Sequence, residues 1–562
     1  MQPGYEAAQE KEVRCCAGGR WAEVEYLEAF RKAASQGVSL LQFAHDNGMA
    51  ESTVRHWVER AAASEAPAEF VEFVESPVGL EVLHRVILAA QFVLTQVVGG
   101  GVRTVCLFLE LSGLWRVVAA GYGTQQEAVR ALEEGVVDFG TAEHKRLAAG
   151  MKSRAITVTQ DETFHHGRPC LVASEPVSNY ILVEEHAEER RAQTWDAAMA
   201  RGLAGLPVTV IQSTSDQGSA LRKHCQESLG AHHSPDLFHP QQDISRATSL
   251  ALQRQIGAAD KAVEQAGLAI ADLLEEAEAY DAQCHGPGRP RDYDRQIERA
   301  NEVFCQAQDT AKEARARRER VREQARGISH SYHPFDLKTG AKRDASAVEA
   351  DLHAHFEVIG QVANDIGLSD KCRALLEKAR RLVPQMVATI AFVHTLVRQK
   401  LEALDLAPAV QDAMANRLIP VCYLEEVVRK ASTAEAREVL RSTIASMRVA
   451  LDASDCPLAD LETGQRRTVE RVARECAQLF QRSSSNVEGR NGVLALRQHS
   501  FHVLSARKLR ALTVVHNFCT TRPDGTTAAE RFFGQRHRDL FEHLLMVMPA
   551  PKRPAVRRTL AN

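Results

Sequence analysis

Among the twelve cysteines of this 562-residue chain no two are spaced Cys-x-x-Cys, and no cysteine or histidine run has the spacing of a zinc finger. Apart from Cys15-Cys16 the thiols are scattered singly, which excludes a disulfide framework and fits reduced thiols in a cytosol. The start, MQPGYEAAQEKEVRCC, lacks the apolar core of a signal peptide. The longest apolar runs read as broken by charge or glycine short of a membrane span, so no membrane association is expected and the cytoplasm is the default. A strong charge of one sign is missing too: the formal net charge is -4, so any nucleic-acid contact must come from local patches. What is present is ordinary for a folded chain, with 44% hydrophobic and 25% charged residues. The length exceeds what one core usually organises and implies two to four domains, or one domain with a large insertion.

Residues 1–20 read as a flexible tail, and residues 21–62 as three short helices. In SLLQFAHDNGMAESTVRHWVER, Ser39 is placed to cap one helix and Ser52 the next, with Gly48 in the turn and Ala44 where the two helices touch. Val54 and Trp57 would pack the second helix back, leaving Ser52, Thr53, Arg55 and His56 facing outward, as a helix-turn-helix presents residues to a major groove. The ordinary alternative is a small helical hairpin with a glycine turn. Residues 63–69 form a linker, and residues 70–150 a mixed α/β segment of unknown role, in which VRTVCLFLEL (102–111) suits a strand or a buried helix equally.

From residue 155 the character becomes β-rich. AITVTQ leads to Asp161, CLVASEPV and NYILVEE follow, then a helix near 188–202, PVTVIQSTS ending at Asp216, a helix near 219–229, and a short HSPDLFH strand at 233–239. The order β-β-β-α-β-α-β is that of an RNase H-like fold, expected over 151–240, with its first and fourth strands side by side. Acids at the ends of such strands lie where α/β sheets bind ligands. Residues 241–480 read as an all-α insertion with helical arms; residues 481–545 complete the core, and 546–562 form a basic tail carrying Lys552, Arg553, Arg557 and Arg558. Within the arms, six arginines (Arg315, Arg317, Arg318, Arg320, Arg322, Arg326) and Lys312 outnumber Glu313, Glu319 and Glu323. That cluster is either a solvated face with i,i+4 pairs or a contact to a DNA backbone. ISHSYHPFDLKTG (328–340) holds clustered histidines without metal-ligand spacing.

Phosphodiester chemistry puts negative charge on a crowded phosphorus, and two Mg²⁺ ions held by carboxylates stabilise the attacking and leaving oxygens. Mg²⁺ keeps several waters and takes few carboxylates, so three acids suffice. Asp161, Asp216 and Glu488 fit this need; taken singly, the first two are turn residues at strand ends and Glu488 a helix-start glutamate complementing the dipole. Asp236 and His239 compete with Asp216 for the second position, and Asp243 is weaker still. Arg490 and Asn491, beside Glu488, are placed to reach phosphates.

The stretches TVTQDET around Asp161, STSDQGSAL around Asp216 and SSSNVEGRNGVLALRQHS around Glu488, with the N-terminal helical pair, resemble a bacterial insertion-sequence transposase of the DDE type. GISHSYHPFDLKTG and NFCTTRPDGTTAAERFF carry the resemblance further, which spans most of residues 38–545. It implies an RNase H-like core with a long helical insertion, and Mg²⁺ or Mn²⁺ bound by Asp161, Asp216 and Glu488. It also implies cleavage and joining of DNA strands at transposon ends. The partners implied are double-stranded DNA, as terminal inverted repeats and target, and further copies of the chain, at the bacterial nucleoid. A transposase-derived DNA-binding protein that no longer cleaves is the alternative. The departure is the long gap between Asp216 and Glu488, which the insertion must absorb.

Overall fold

The computed structural model describes residues 19–283, 288, 290–500 and 504–555; most of the expected N-terminal tail, with Arg557 and Arg558, lies outside the described residues. The architecture is mixed α/β: helices dominate around one five-stranded mixed sheet. The chain divides into two compact units, one made of the residues up to Val210 together with Asn486 onward, the other of Ile211–Ser485.

The first unit opens with α1 (Arg20–Ser35), α2 (Leu40–Asp46) and α3 (Glu51–Ala62). The Ser39 hydroxyl accepts from the Gln42 N–H and caps α2, and Gly48 adopts φ 64° in the turn, a conformation that costs a residue with a Cβ. Phe43, Ala44 and Val54 form the buried centre of this trio, and Trp57 stacks on Tyr26 at 5.8 Å. Ser52 is not a cap: α3 starts at Glu51 with Ala50 in the capping position, so Ser52 lies in its exposed first turn.

Residues 68–149 contain α4 (Ala68–Val74), α5 (Pro77–Phe92, continued by a π-helical turn to Val97), α6 (Val102–Leu111) and α7 (Tyr122–Ala149). The expected mixed α/β segment is therefore helical throughout. VRTVCLFLEL resolves as α6 because Val105 and Leu109, four apart, are buried on one stripe while Leu107 and Leu111 stay exposed, a helical rather than an alternating pattern. The run Pro77–Val97, with Glu81 and Arg85 as its only Asp, Glu, Lys or Arg residues, is by length and composition long enough to cross a membrane. This corrects the expectation that every apolar run falls short; half of its apolar window is buried inside the fold.

The sheet contains β1 (Arg154–His165), β2 (Arg168–Glu175), β3 (Tyr180–His186), β4 (Val208–Ser215) and β5 (His232–Pro235) in the order β3-β2-β1-β4-β5. β1 pairs with β2 and β2 with β3 antiparallel, whereas β4 and β5 run parallel. α8 (Ala192–Gly202) covers one face, where the fully buried Trp195 donates its indole N–H to Glu162 at 3.0 Å.

In the second unit α9 (Ser219–Lys223) and β5 are followed by two long helices, α10 (Phe238–Asp281) and α11 (Tyr293–Ser331), packed along each other. The helical block thus begins at Phe238. His239 sits in the first turn of α10, and Asp236 in the link before it, rather than on a strand. Helices α12 (Ala345–Asp365), α13 (Asp370–Arg380), α14 (Val383–Glu402), α15 (Pro408–Ala413), α16 (Ile419–Lys430), α17 (Ala434–Leu451) and α18 (Thr463–Ala477) complete it around one large core. The arginines of α11 are largely paired: Arg315 with Asp260 across the hairpin, Arg317 with Glu313, and both Arg322 and Arg326 with Glu319. His333 of the histidine-rich stretch is buried against the Tyr423 hydroxyl and belongs to the core.

The chain returns to the first unit with α19 (Ser485–Ser500), α20 (Ala506–Phe518), α21 (Ala528–Phe533) and α22 (Leu540–Val547). Asn517 latches onto the edge strand β3 through both the N–H and the carbonyl of Ile181, at 2.9 and 3.0 Å, which blunts an open sheet edge. The expected basic tail is docked at its start: Arg553 lies buried between Glu75 and Glu23, and Lys552 reaches Glu127 at 3.0 Å.

Candidate functional site

β1 continues four residues beyond Asp161, so this acid sits inside the strand rather than at its end, opposite Val172, which in turn faces Glu184 of β3. Residues directly opposite one another share a sheet face. Asp161, Val172 and Glu184 therefore line one face, and α19 lies over it. Asn486 donates to Ser174 at 2.6 Å and accepts from Thr159 at 3.1 Å; Asn491 donates to Asp161 Oδ2 at 2.8 Å. Val487 and Leu494 on the same helix join Cys170 and Val172 in a buried apolar cluster.

Glu488 lies one turn before Asn491 on this helix, partly buried, as Asp161 is. Residues three apart on a helix are neighbours. The helix that touches the Asp161 carboxylate thus also carries Glu488. Hydrogen-bonded and partly exposed carboxylates are a hard oxygen donor set, the kind that suits Mg²⁺ retaining part of its water.

Asp216 belongs to the second unit. It follows β4, and its Oδ1 accepts the Gly218 N–H at 2.8 Å, which fixes the carboxylate at the turn. The preceding Ser215 meets His233 Nε2 at 3.0 Å. The competing Asp236 is buried and accepts from the Ser484 hydroxyl at 2.5 Å and the Phe238 N–H at 3.0 Å. Asp243 is paired with Lys378 at 2.8 Å.

Arg490 and Asn491, expected to reach phosphates, both have partners inside the fold. Arg490 makes a bidentate pair with Glu184, both bonds 2.6 Å, and its side chain is only 9% exposed. Asn491 spends its amide on Asp161. Both side chains tie α19 to the sheet. By contrast Ser52, Thr53, Arg55 and His56 are all exposed on α3, with Arg55 paired to Glu51.

His516 on α20 packs beside this brace, its Nε2–H donating to the Asn179 carbonyl at 2.9 Å. Burial is the main cause that lowers its pKa from 6.5 to about 4; Arg490 and Arg531 lower it further, while the Asn179 bond and Glu184 oppose. Between those two values the unfolded chain binds the proton more readily than the folded one. Stability is therefore lost as pH falls from about 6.5 towards 4, by up to about 1.4 kcal/mol per pH unit from this group. Urea denaturation at pH 7 and pH 5 should show the loss, and His516→Gln should make the difference smaller, the other buried histidines keeping their share.

A family model described as a family of unknown function (DUF6399) matches residues 414–560, a stretch that includes Glu488, Arg490 and Asn491. No curated protein matches the chain. No solved structure matches it.

Proposed function

We propose that the chain is a DNA transposase of the DDE type, with an RNase H-like core, whose Asp161, Asp216 and Glu488 hold two Mg²⁺ or Mn²⁺ ions for cleaving and joining strands at transposon ends. The observation that carries this reading is the Asn491–Asp161 hydrogen bond, which ties the helix bearing Glu488 to the strand bearing Asp161 in a sheet ordered β3-β2-β1-β4-β5. That sheet order supports an RNase H-like core, in which a first-strand and a fourth-strand acid are neighbours.

Bound ions would stabilise the charge on the attacking and leaving oxygens. The chain's part is to hold its carboxylates in place. Asn491 orients Asp161, the Gly218 N–H orients Asp216, and the Arg490–Glu184 pair fixes α19 on β3. Pre-set ligands of this kind reduce the reorganisation needed at the moment of reaction. The exposed Ser52, Thr53, Arg55 and His56 suit recognition of terminal repeats through a helix-turn-helix, and the α10–α11 hairpin suits an arm for dimerisation or for clamping DNA.

The test is incubation with DNA carrying the ends of the element that encodes the chain, with Mg²⁺ or Mn²⁺ and with chelator. Metal-dependent strand cleavage supports the proposal. Tight binding to those ends without cleavage in either metal rejects it in favour of a DNA-binding descendant.

A further inference from the structure

We infer that His165, Cys170 and His186 form a binding site for a zinc-class divalent ion at the hairpin end of the β1–β2–β3 ladder. The three side chains come from three adjacent strands. Thr163 faces Cys170, and Cys170 faces His186, so the thiol and the His186 ring share a face; His165, two residues after Thr163, points the same way. One donor atom from each lies within 4.8 Å of the others. An ion bonded to sulfur and nitrogen at zinc distances in tetrahedral geometry needs donors roughly 3.3–3.6 Å apart, so small side-chain rotations complete the site.

The site is built rather than incidental. A two-residue turn with His166 at φ 49° and Gly167 at φ 83° closes the hairpin and holds His165 at its end. His165 Nδ1 stands 3.0 Å from His186 Nε2, a contact in which two imidazole lone pairs compete for a single proton. The other ring nitrogen of His165 is buried and has no hydrogen-bond partner among the described residues. Burial lowers the pKa of both histidines, helped by neighbouring His186 and His166 in one case and Arg168 in the other, against Glu184; both rings therefore offer neutral nitrogen ligands. Burial and Glu184 push the Cys170 thiol up, with Arg490 opposing, so the free thiol keeps its proton. On binding, the S–H bond breaks, its proton leaves to solvent and a sulfur–metal bond forms.

The chemistry selects the ion. One thiolate and two imidazoles are a borderline-soft set that favours Zn²⁺ over Mg²⁺, unlike the carboxylates of the site proposed above. His186 is only partly buried, which leaves a route for the ion and room for a water as fourth ligand. Such an ion would lock three strands at the end of the face that carries Asp161.

Chelator-stripped full-length protein titrated with Co²⁺ tests this directly. A thiolate-to-cobalt charge-transfer band should saturate at one equivalent, vanish on adding Zn²⁺ and persist in excess Mg²⁺. Cys170→Ser should abolish the band with circular dichroism unchanged, and His186→Gln should weaken Co²⁺ binding roughly tenfold or more. Should Cys170→Ser fail to fold, His186→Gln, at a partly exposed strand end, decides the matter. Absence of the band in wild type, or Co²⁺ binding unaltered by His186→Gln, overturns the assignment. Glu488→Gln should leave the band intact, so failure here is distinguishable from failure of the transposase reading.

Discussion

Glu488→Gln is expected to reduce metal-dependent DNA cleavage about a thousandfold while metal-free DNA affinity and the fold stay as in wild type. Glutamine keeps the shape and one oxygen of the side chain but removes its charge. A divalent ion contributes several kcal/mol of transition-state stabilisation, and about 4 kcal/mol is a thousandfold in rate. The substitution is structurally mild because Glu488 is only partly buried and sits in the first turn of its helix. Asp161→Asn should show a similar loss, since that carboxylate meets Asn491 on the same helix. Single-turnover cleavage in Mg²⁺ measures both. Wild-type rates in Glu488→Gln would return this residue to the ordinary role of a helix-start glutamate facing the dipole.

Arg490→Ala is expected to destabilise the first unit by about 3–5 kcal/mol, because it strands a buried carboxylate. The Glu184 side chain is fully buried, and besides the Arg490 pair it accepts from the Thr513 hydroxyl at 2.6 Å. Arg490→Lys should recover only part of the loss, since an ammonium cannot make the two parallel bonds of the guanidinium. The double change Arg490→Met with Glu184→Leu should lie much nearer wild type than the single one, as apolar replacements for buried ion pairs generally do. Urea denaturation of the four proteins gives the comparison. An Arg490→Ala protein as stable as wild type but with weakened DNA binding would restore the phosphate contact that the sequence suggests.

Much of the sheet is legible in the sequence because its strands are short β-branched runs separated by Gly, Asn and Ser turns, and their order follows from where the helices interrupt them. The trio of N-terminal helices is legible for a related reason: Ser39 and Gly48 mark a cap and a turn by side-chain chemistry alone. Where sequence reading falls short, the deciding partner is far away in the chain. Nothing near Arg490 or Asn491 announces Glu184 and Asp161, more than 300 residues upstream, so two residues that seem offered to a ligand are bound internally. Asp161 seems to end a strand because apolar character stops there, yet the His166-Gly167 turn extends the hairpin four residues further. The run at 102–111 is apolar enough for either element, and only its packing partners select a helix. The His165, Cys170 and His186 grouping has no readable spacing, since cross-strand pairing and not helical or loop periodicity brings the three together.

The central claim is that Asp161, Asp216 and Glu488 share bound metal, and iron-directed cleavage of the protein chain tests it most directly. Fe²⁺ substituted for Mg²⁺ and supplied with ascorbate and peroxide releases hydroxyl radicals that cut the backbone beside the metal. The account predicts three sets of cuts, near residues 161, 216 and 488, all suppressed together by excess Mg²⁺ and all lost in Glu488→Gln. Cuts confined to one of these segments, or cuts indifferent to Mg²⁺ and to the substitution, would contradict it.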